Sequence, residues 1–169
     1  MKRIFLATVL TMVTLMSFGH RHVSESAVTV SDTLYYASNM LQVNNRADAS
    51  YYRLLKKEGK GLSKHDAFQD FYLNGTLKAE GGYTFIDLSN DKNSKFDGDI
   101  TTYYPNGKEK WRGTYKNGKR NGYFTMSMRD GSIASVLFEN GKSKLNYFVV
   151  TRPDGTMQKR PIKDVDILL

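Results

Sequence analysis

Cysteine is absent from the 169 residues. No disulfide can staple this fold in an oxidising compartment and no acylated cysteine can tether it, so stability has to come from packing. Histidine is scarce, at three residues, and no nucleophile or metalloenzyme motif is recognisable, which points away from an enzyme and from any cofactor. Helical periodicity is missing too: beyond the opening segment, only Asn44-Asn45-Arg46-Ala47-Asp48-Ala49 suggests a single helical turn. Basic residues exceed acidic ones for a net charge of +8, yet they form no cluster, and no nucleic-acid partner is expected.

What is present begins with Met1-Lys2-Arg3 and an apolar run from Ile4 to Phe18, of signal-peptide length and too short for a comfortable membrane span. The polar run His20 to Ser26 follows at once. Small residues at Ser17 and Gly19, or at Ser24 and Ser26, permit cleavage after Gly19 or after Ser26. Residues 1–26 are therefore assigned as a signal peptide, and the mature protein is expected to be exported, periplasmic or secreted. Cleavage after Gly19 would expose an amine with His20 first and His22 third in line, a terminus able to wrap Cu(II) or Ni(II); cleavage after Ser26 discards it. The Asp- and Asn-rich stretch from Asp87 to Asp99 fails the EF-hand spacing. Counted from Asp91, the glycine and glutamate positions hold Phe96 and Thr102; counted from Asp87, they hold Lys92 and Gly98.

The most informative stretch is Tyr103-Tyr104-Pro105-Asn106-Gly107-Lys108-Glu109-Lys110-Trp111-Arg112-Gly113. Asn-Gly between alternating runs predicts a hairpin with a type I′ turn, which needs positive φ at both central residues. Counting outward pairs Tyr104 with Glu109, Tyr103 with Lys110, Thr102 with Trp111 and Ile100 with Gly113. Ile100, Thr102, Tyr104, Trp111, Gly113 and Tyr115 then share an inner face, and Thr101, Tyr103, Lys110 and Arg112 an outer one. Gly107, Gly131 and Gly155 recur at intervals of 24 residues, each after Asn or Asp, and Gly75 precedes Gly107 by 32. The excess falls in the polar segment Asp87 to Ser94, read as a loop insertion. The same outward count pairs Phe68 with Gly81, Phe124 with Leu137, Met126 with Ser135 and Val150 with Lys159. Gly98, Gly122 and Asn146 suit left-handed bends between hairpins, and Gly81 and Gly113 leave room for aromatic neighbours on the packed face.

The expected fold is all-β: an elongated antiparallel meander of stacked hairpins. Residues 27–63 supply an N-terminal β segment, with β-rich runs at Thr33–Ala37 and Ser50–Leu55. Residues 64–160 supply four hairpin repeats and 161–169 a charged edge strand. On the outer face Tyr103, Tyr123, Tyr147 and Phe71, joined by Lys78, Lys110, Arg112 and Arg160, form an aromatic and basic stripe, read as the contact surface for a partner or ligand.

Residues 64–160 resemble the bacterial variant of the MORN repeat, whose pattern is an aromatic pair, Asn-Gly, a short polar run, Gly, an aromatic, and Asn-Gly-Lys. Tyr103-Tyr104-Pro105-Asn106-Gly107 with Gly113, Tyr115 and Asn117-Gly118-Lys119 matches closely, and Phe71-Tyr72-Leu73-Asn74-Gly75 with Gly81 and Tyr83 matches well. The resemblance implies stacked hairpins serving as a scaffold or interaction module, with no catalytic residues. Relatives are often labelled antitoxin-like, and some are fused to TonB-type domains. With the export signal, the expected partner is an extracytoplasmic protein; the alternative is an anionic glycan or lipid headgroup surface.

Overall fold

Asn-Gly or Asp-Gly closes an antiparallel hairpin at Gly75, Gly107, Gly118, Gly131, Gly141 and Gly155, and the hairpins continue into one sheet. The computed structural model describes residues 33–58 and 65–167. Residues 1–26, the expected signal peptide with His20 and His22, and residues 27–32 and 59–64 lie outside the described residues. The strands are β1 (Leu34–Tyr36), β2 (Gln42–Val43), β3 (Tyr51–Glu58), β4 (His65–Tyr72), β5 (Leu77–Phe85), β6 (Lys95–Tyr103), β7 (Glu109–Lys116), β8 (Lys119–Ser127), β9 (Ile133–Glu139), β10 (Lys142–Ser143), β11 (Tyr147–Thr151) and β12 (Met157–Pro161). They form one 12-stranded antiparallel sheet in the order β12-β11-β9-β8-β7-β6-β5-β4-β3-β1-β2, with β10 beside β9. The fold is thus the all-β meander of stacked hairpins that the turn signals indicate. The helical turn expected near residue 46 is a 3₁₀ turn at Arg46–Asp48.

The turns differ in kind from the expectation. At Gly75, Gly107, Gly131 and Gly155 only the glycine has positive φ. In the central case Gly107 N–H donates to the Tyr104 carbonyl and Tyr104 N–H to the Lys108 carbonyl, each at 2.8 Å. This is a three-residue loop, a type I turn closed by a left-handed glycine. Pro105 and Pro153 take the first central position, where their fixed φ fits. Asn74, Asn106, Asp130 and Asp154 each accept a bond from the N–H two residues on, at 2.8–3.1 Å, which locks the same turn in all four units. True type I′ turns occur at the other ends of the strands, where Asn117-Gly118 and Asn140-Gly141 have positive φ at both positions.

A three-residue loop shifts register by one relative to a two-residue loop. In β8–β9 Phe124 pairs with Val136 and Met126 with Ala134, and in β11–β12 Val150 pairs with Gln158, each one residue from the outward count. In the two earlier hairpins a bulge restores the count: Ile100 still pairs with Gly113 and Phe68 with Gly81, while Tyr103 pairs with Glu109 and Phe71 with Leu77. Gly98 and Gly122 are left-handed as expected, but they lie inside β6 and β8 rather than between hairpins. Asn146 has no positive φ.

The C-terminal segment is corrected as well. The expected edge strand does not start at 161: β12 is the edge and ends at Pro161, which has no N–H to extend the ladder, and Ile162–Ile167 turns into a 3₁₀ segment whose Ile162 packs on the core, residues 168–169 lying outside the described residues.

One face of the sheet is packed and no second layer covers it among the described residues. Phe68, Ile100 and Phe124 are nevertheless almost fully buried, so neighbouring strands must bend toward that face and bury one another's side chains. Ring contacts run across it from Phe68 to Phe96, Tyr115, Phe124 and Phe138, with centroids 5.0–5.8 Å apart. The polar insertion after β5 contributes to the bend. Asp91 N–H donates to the Met40 carbonyl, Gln42 N–H to the Ser89 carbonyl, and Leu41 pairs with Asn90. The connection therefore joins the free edge at β2, and the N-terminal five strands close into a ring.

Candidate functional site: the inner-face groove

The bulges in the first two hairpins decide where two lysines point. With Leu77 and Lys78 set against one residue of β4, and Glu109 and Lys110 against one residue of β6, strict alternation breaks. Lys78 and Lys110 consequently turn onto the inner face, beside Ala79 and Trp111, and both line a groove there. Their expected place on the outer stripe is corrected by this geometry, and so is that of Glu109, which faces outward near Tyr103 and Arg112 instead of pairing with Tyr104.

The groove encloses about 560 Å³. Tyr72, Lys78 and Lys110 stand at one end, Ile100, Thr102 and Trp111 along its length, and Tyr115 and Arg120 at the other. Lys78 Nζ sits 4.0 Å from the centre of the Tyr51 ring, and neither Lys78 nor Lys110 has a hydrogen bond or ion pair among the described residues. Burial pulls the Lys78 ammonium below the usual lysine value, an effect that Asp70 offsets in part and Arg53 and Lys110 reinforce. Arg120 lies over the Phe138 and Phe124 rings, 5.2 and 5.8 Å from their centres.

Beneath the lysine end is a buried charge cluster that the sequence reading does not anticipate. Arg53, 1 % exposed, donates to Asp70 at 2.6 and 2.8 Å and to Asp91 at 2.5 and 2.9 Å, with its guanidinium 4.5 Å over the Phe68 ring. Two bidentate carboxylates keep it charged despite burial, raising its pKa further. Tyr51 donates to Asp91 at 3.1 Å, and burial, reinforced by the Asp91 charge, pushes its phenol up. Arg53 holds both carboxylates, so they are not free to pair with Lys78. The signal in the sequence was parity: Arg53 alternates with Tyr51 and Leu55 and therefore shares their face.

The outer residues do not come together as a site. Tyr103 donates to Glu80 at 2.7 Å, and burial together with that carboxylate pushes its phenol up to about 12. Arg112 pairs with Glu109 at 3.5 Å, Tyr147 lies under Lys159 at 4.4 Å, and Phe71 stacks on Tyr52 at 5.2 Å. Tyr123 is 69 % exposed. Glu109 pairs with Arg112, Lys78 and Lys110 lie on the inner face, and Arg160 stands opposite buried Phe148 beside Val150, so the outer face is not the basic stripe expected. Replacing Tyr123 by Ser together with Arg112 by Gln should change unfolding free energy by less than about 0.5 kcal/mol, as measured in urea.

Other candidates carry less. Asp87 caps its own loop, accepting bonds from Ser89, Asn90 and Asn93, and these hold its carboxyl well below the usual range. A larger depression of about 650 Å³ lies between the turns at Pro105–Lys108 and Arg129–Gly131; it is walled by turn residues and spanned by the bond from the Tyr104 hydroxyl to the Ser127 carbonyl.

Comparison with protein-family models, with curated proteins and with solved structures finds no match.

Proposed function

We propose that the chain is a non-catalytic interaction module that holds another protein outside the cytoplasm, and that the inner-face groove is its contact surface. The observation that supports this reading is the pair of lysines turned by bulges into an aromatic groove, with no hydrogen bond or ion pair among the described residues. Buried or half-buried ammonium groups are costly when unpaired, so a groove built this way gains when an acidic group from elsewhere enters. Aromatic and cationic side chains are also the ones that dominate binding energy when an interface closes over them. Export rests on the charged and apolar opening of the sequence, and the module role on the resemblance of residues 64–160 to MORN-type repeats.

Photo-crosslinking in the native cell envelope followed by mass spectrometry tests the reading. The mature chain should begin between His20 and Val28, fractionate outside the cytoplasm, and crosslink to a protein from a probe in place of Thr102. Full-length protein recovered from the cytosol, or crosslinks from Thr102 to glycan or lipid alone, would contradict it.

A further inference from the structure

We propose that the groove takes an extended peptide segment with an acidic side chain at each end and apolar ones between, its acids received by the Lys78–Lys110 pair and by Arg120. This rests on the interaction-module reading and names what the module holds.

The spacing carries the argument. Arg120 pairs across the ladder with Tyr115, and Trp111 pairs with Met126 farther along the same two strands. Lys110 lies five residues before Tyr115, one of them the extra residue of the bulge, so the two cationic ends lie between four and five strand residues apart, roughly 15 Å at 3.3 Å per residue. Between them the groove offers Ile100, Thr102, Trp111 and Phe96, surfaces suited to apolar side chains. Among the described residues its one carboxylate, Asp91, is held by Arg53, so those residues present cations without a free acid. A flat anionic membrane does not fit, because Lys78 is recessed over the Tyr51 ring and a bilayer surface would meet the exposed cations of the turns first. Sugar stacking needs an open ring face, and Trp111 is half-buried against Phe124, with centroids 5.8 Å apart.

Trp111 is the only tryptophan in the chain, so its fluorescence reports directly on the groove. The probe is acetyl-Glu-Val-Phe-Val-Glu-amide, titrated at low salt against the mature protein, with acetyl-Gln-Val-Phe-Val-Gln-amide as the uncharged counterpart. A saturable change with the glutamate peptide is expected, weakened at least about tenfold by the glutamine peptide and by Lys110→Gln, and weakened again as salt is raised. Thermal melting of Lys110→Gln, whose residue lies outside the packed clusters, is run alongside; Arg120→Gln gives a second, independent variant. No saturation with the glutamate peptide, equal binding of the two peptides, or indifference to both substitutions overturns the proposal. Tighter, Lys110-dependent binding to phosphatidylglycerol vesicles or heparin than to the peptide overturns the choice of a peptide. If the native partner is still captured by Lys110→Gln and Arg120→Gln proteins, this inference falls while the interaction-module reading stands; if the wild-type chain captures no protein, that reading falls.

Discussion

Replacing Arg53 by Met is expected to destabilise the protein by about 3–5 kcal/mol, the cost of stranding buried charge without its partner. The guanidinium satisfies Asp70 and Asp91 together, and both carboxylates are buried. Asp91 arrives from the insertion after β5, so the cluster also holds that connection against β2 and closes the N-terminal ring. Methionine keeps the apolar stem over Phe68 but leaves two acids facing each other in a site shielded from water. Urea unfolding should show the loss, and proteolysis should cut first within the N-terminal strands. Asp91→Asn should cost less, because the amide oxygen still accepts a bond and Asp70 still balances the arginine. A variant of Arg53 that unfolds at the wild-type midpoint would mean that Asp70 and Asp91 take up protons with little penalty and that the ring is held by packing alone.

The second large effect is steric. A Cβ at Gly113 would lie 2.5 Å from the Phe124 ring, and that ring cannot retreat: Tyr115 and Phe138 meet it edge-on at 5.5 and 5.1 Å, and Trp111 covers it at 5.8 Å. Gly113→Val should therefore cost about 2–3 kcal/mol, at the upper end for overpacking a core. The measurement that isolates the cause is a double-mutant cycle with Phe124→Leu, in which the smaller side chain should recover part of the loss. Additive effects would place the strain elsewhere. Gly81 repeats the device, its absent side chain making way for Ile100 and the Asp99 carbonyl, so Gly81 and Gly113 both serve packing.

The fold was legible because alternation and turn residues act locally. Asn and Asp before glycine mark the hairpins, and Phe68, Ile100, Phe124 and Met126 are buried as alternation indicates, whereas on β9 the one-residue shift buries Ala134, Val136 and Phe138 in place of Ser135 and Leu137. The kind of turn was less legible, although Pro105 and Pro153 carried the information: proline suits the first central position of a type I turn, and the three-residue loop follows. The facing of the two lysines is hidden for a reason of the same kind. A bulge inserts one residue and turns the next side chain over, and nothing in Leu77-Lys78 or Glu109-Lys110 announces it, so Lys110 was counted to the wrong face. Arg53 and Asp91 meet across 38 residues of sequence, a contact made by how the insertion folds back and not by any local pattern. Tyr103, Tyr123 and Tyr147 face outward as alternation indicates, but Tyr103 has Glu80 and Glu109 beside it, acids that a count of the stripe's cations does not include.

The account turns on which face binds, and Lys110 and Arg112 test it most directly, since they lie two residues apart in β7 and point to opposite faces. Charge reversal at each, Lys110→Glu and Arg112→Glu, should be compared by quantitative capture of the native partner, with melting measured for both. The inner-face account predicts that Lys110→Glu loses at least about tenfold in affinity while Arg112→Glu stays within about threefold of wild type. Loss of binding in the Arg112 variant with Lys110→Glu unaffected would contradict it and return the contact surface to the outer tyrosines.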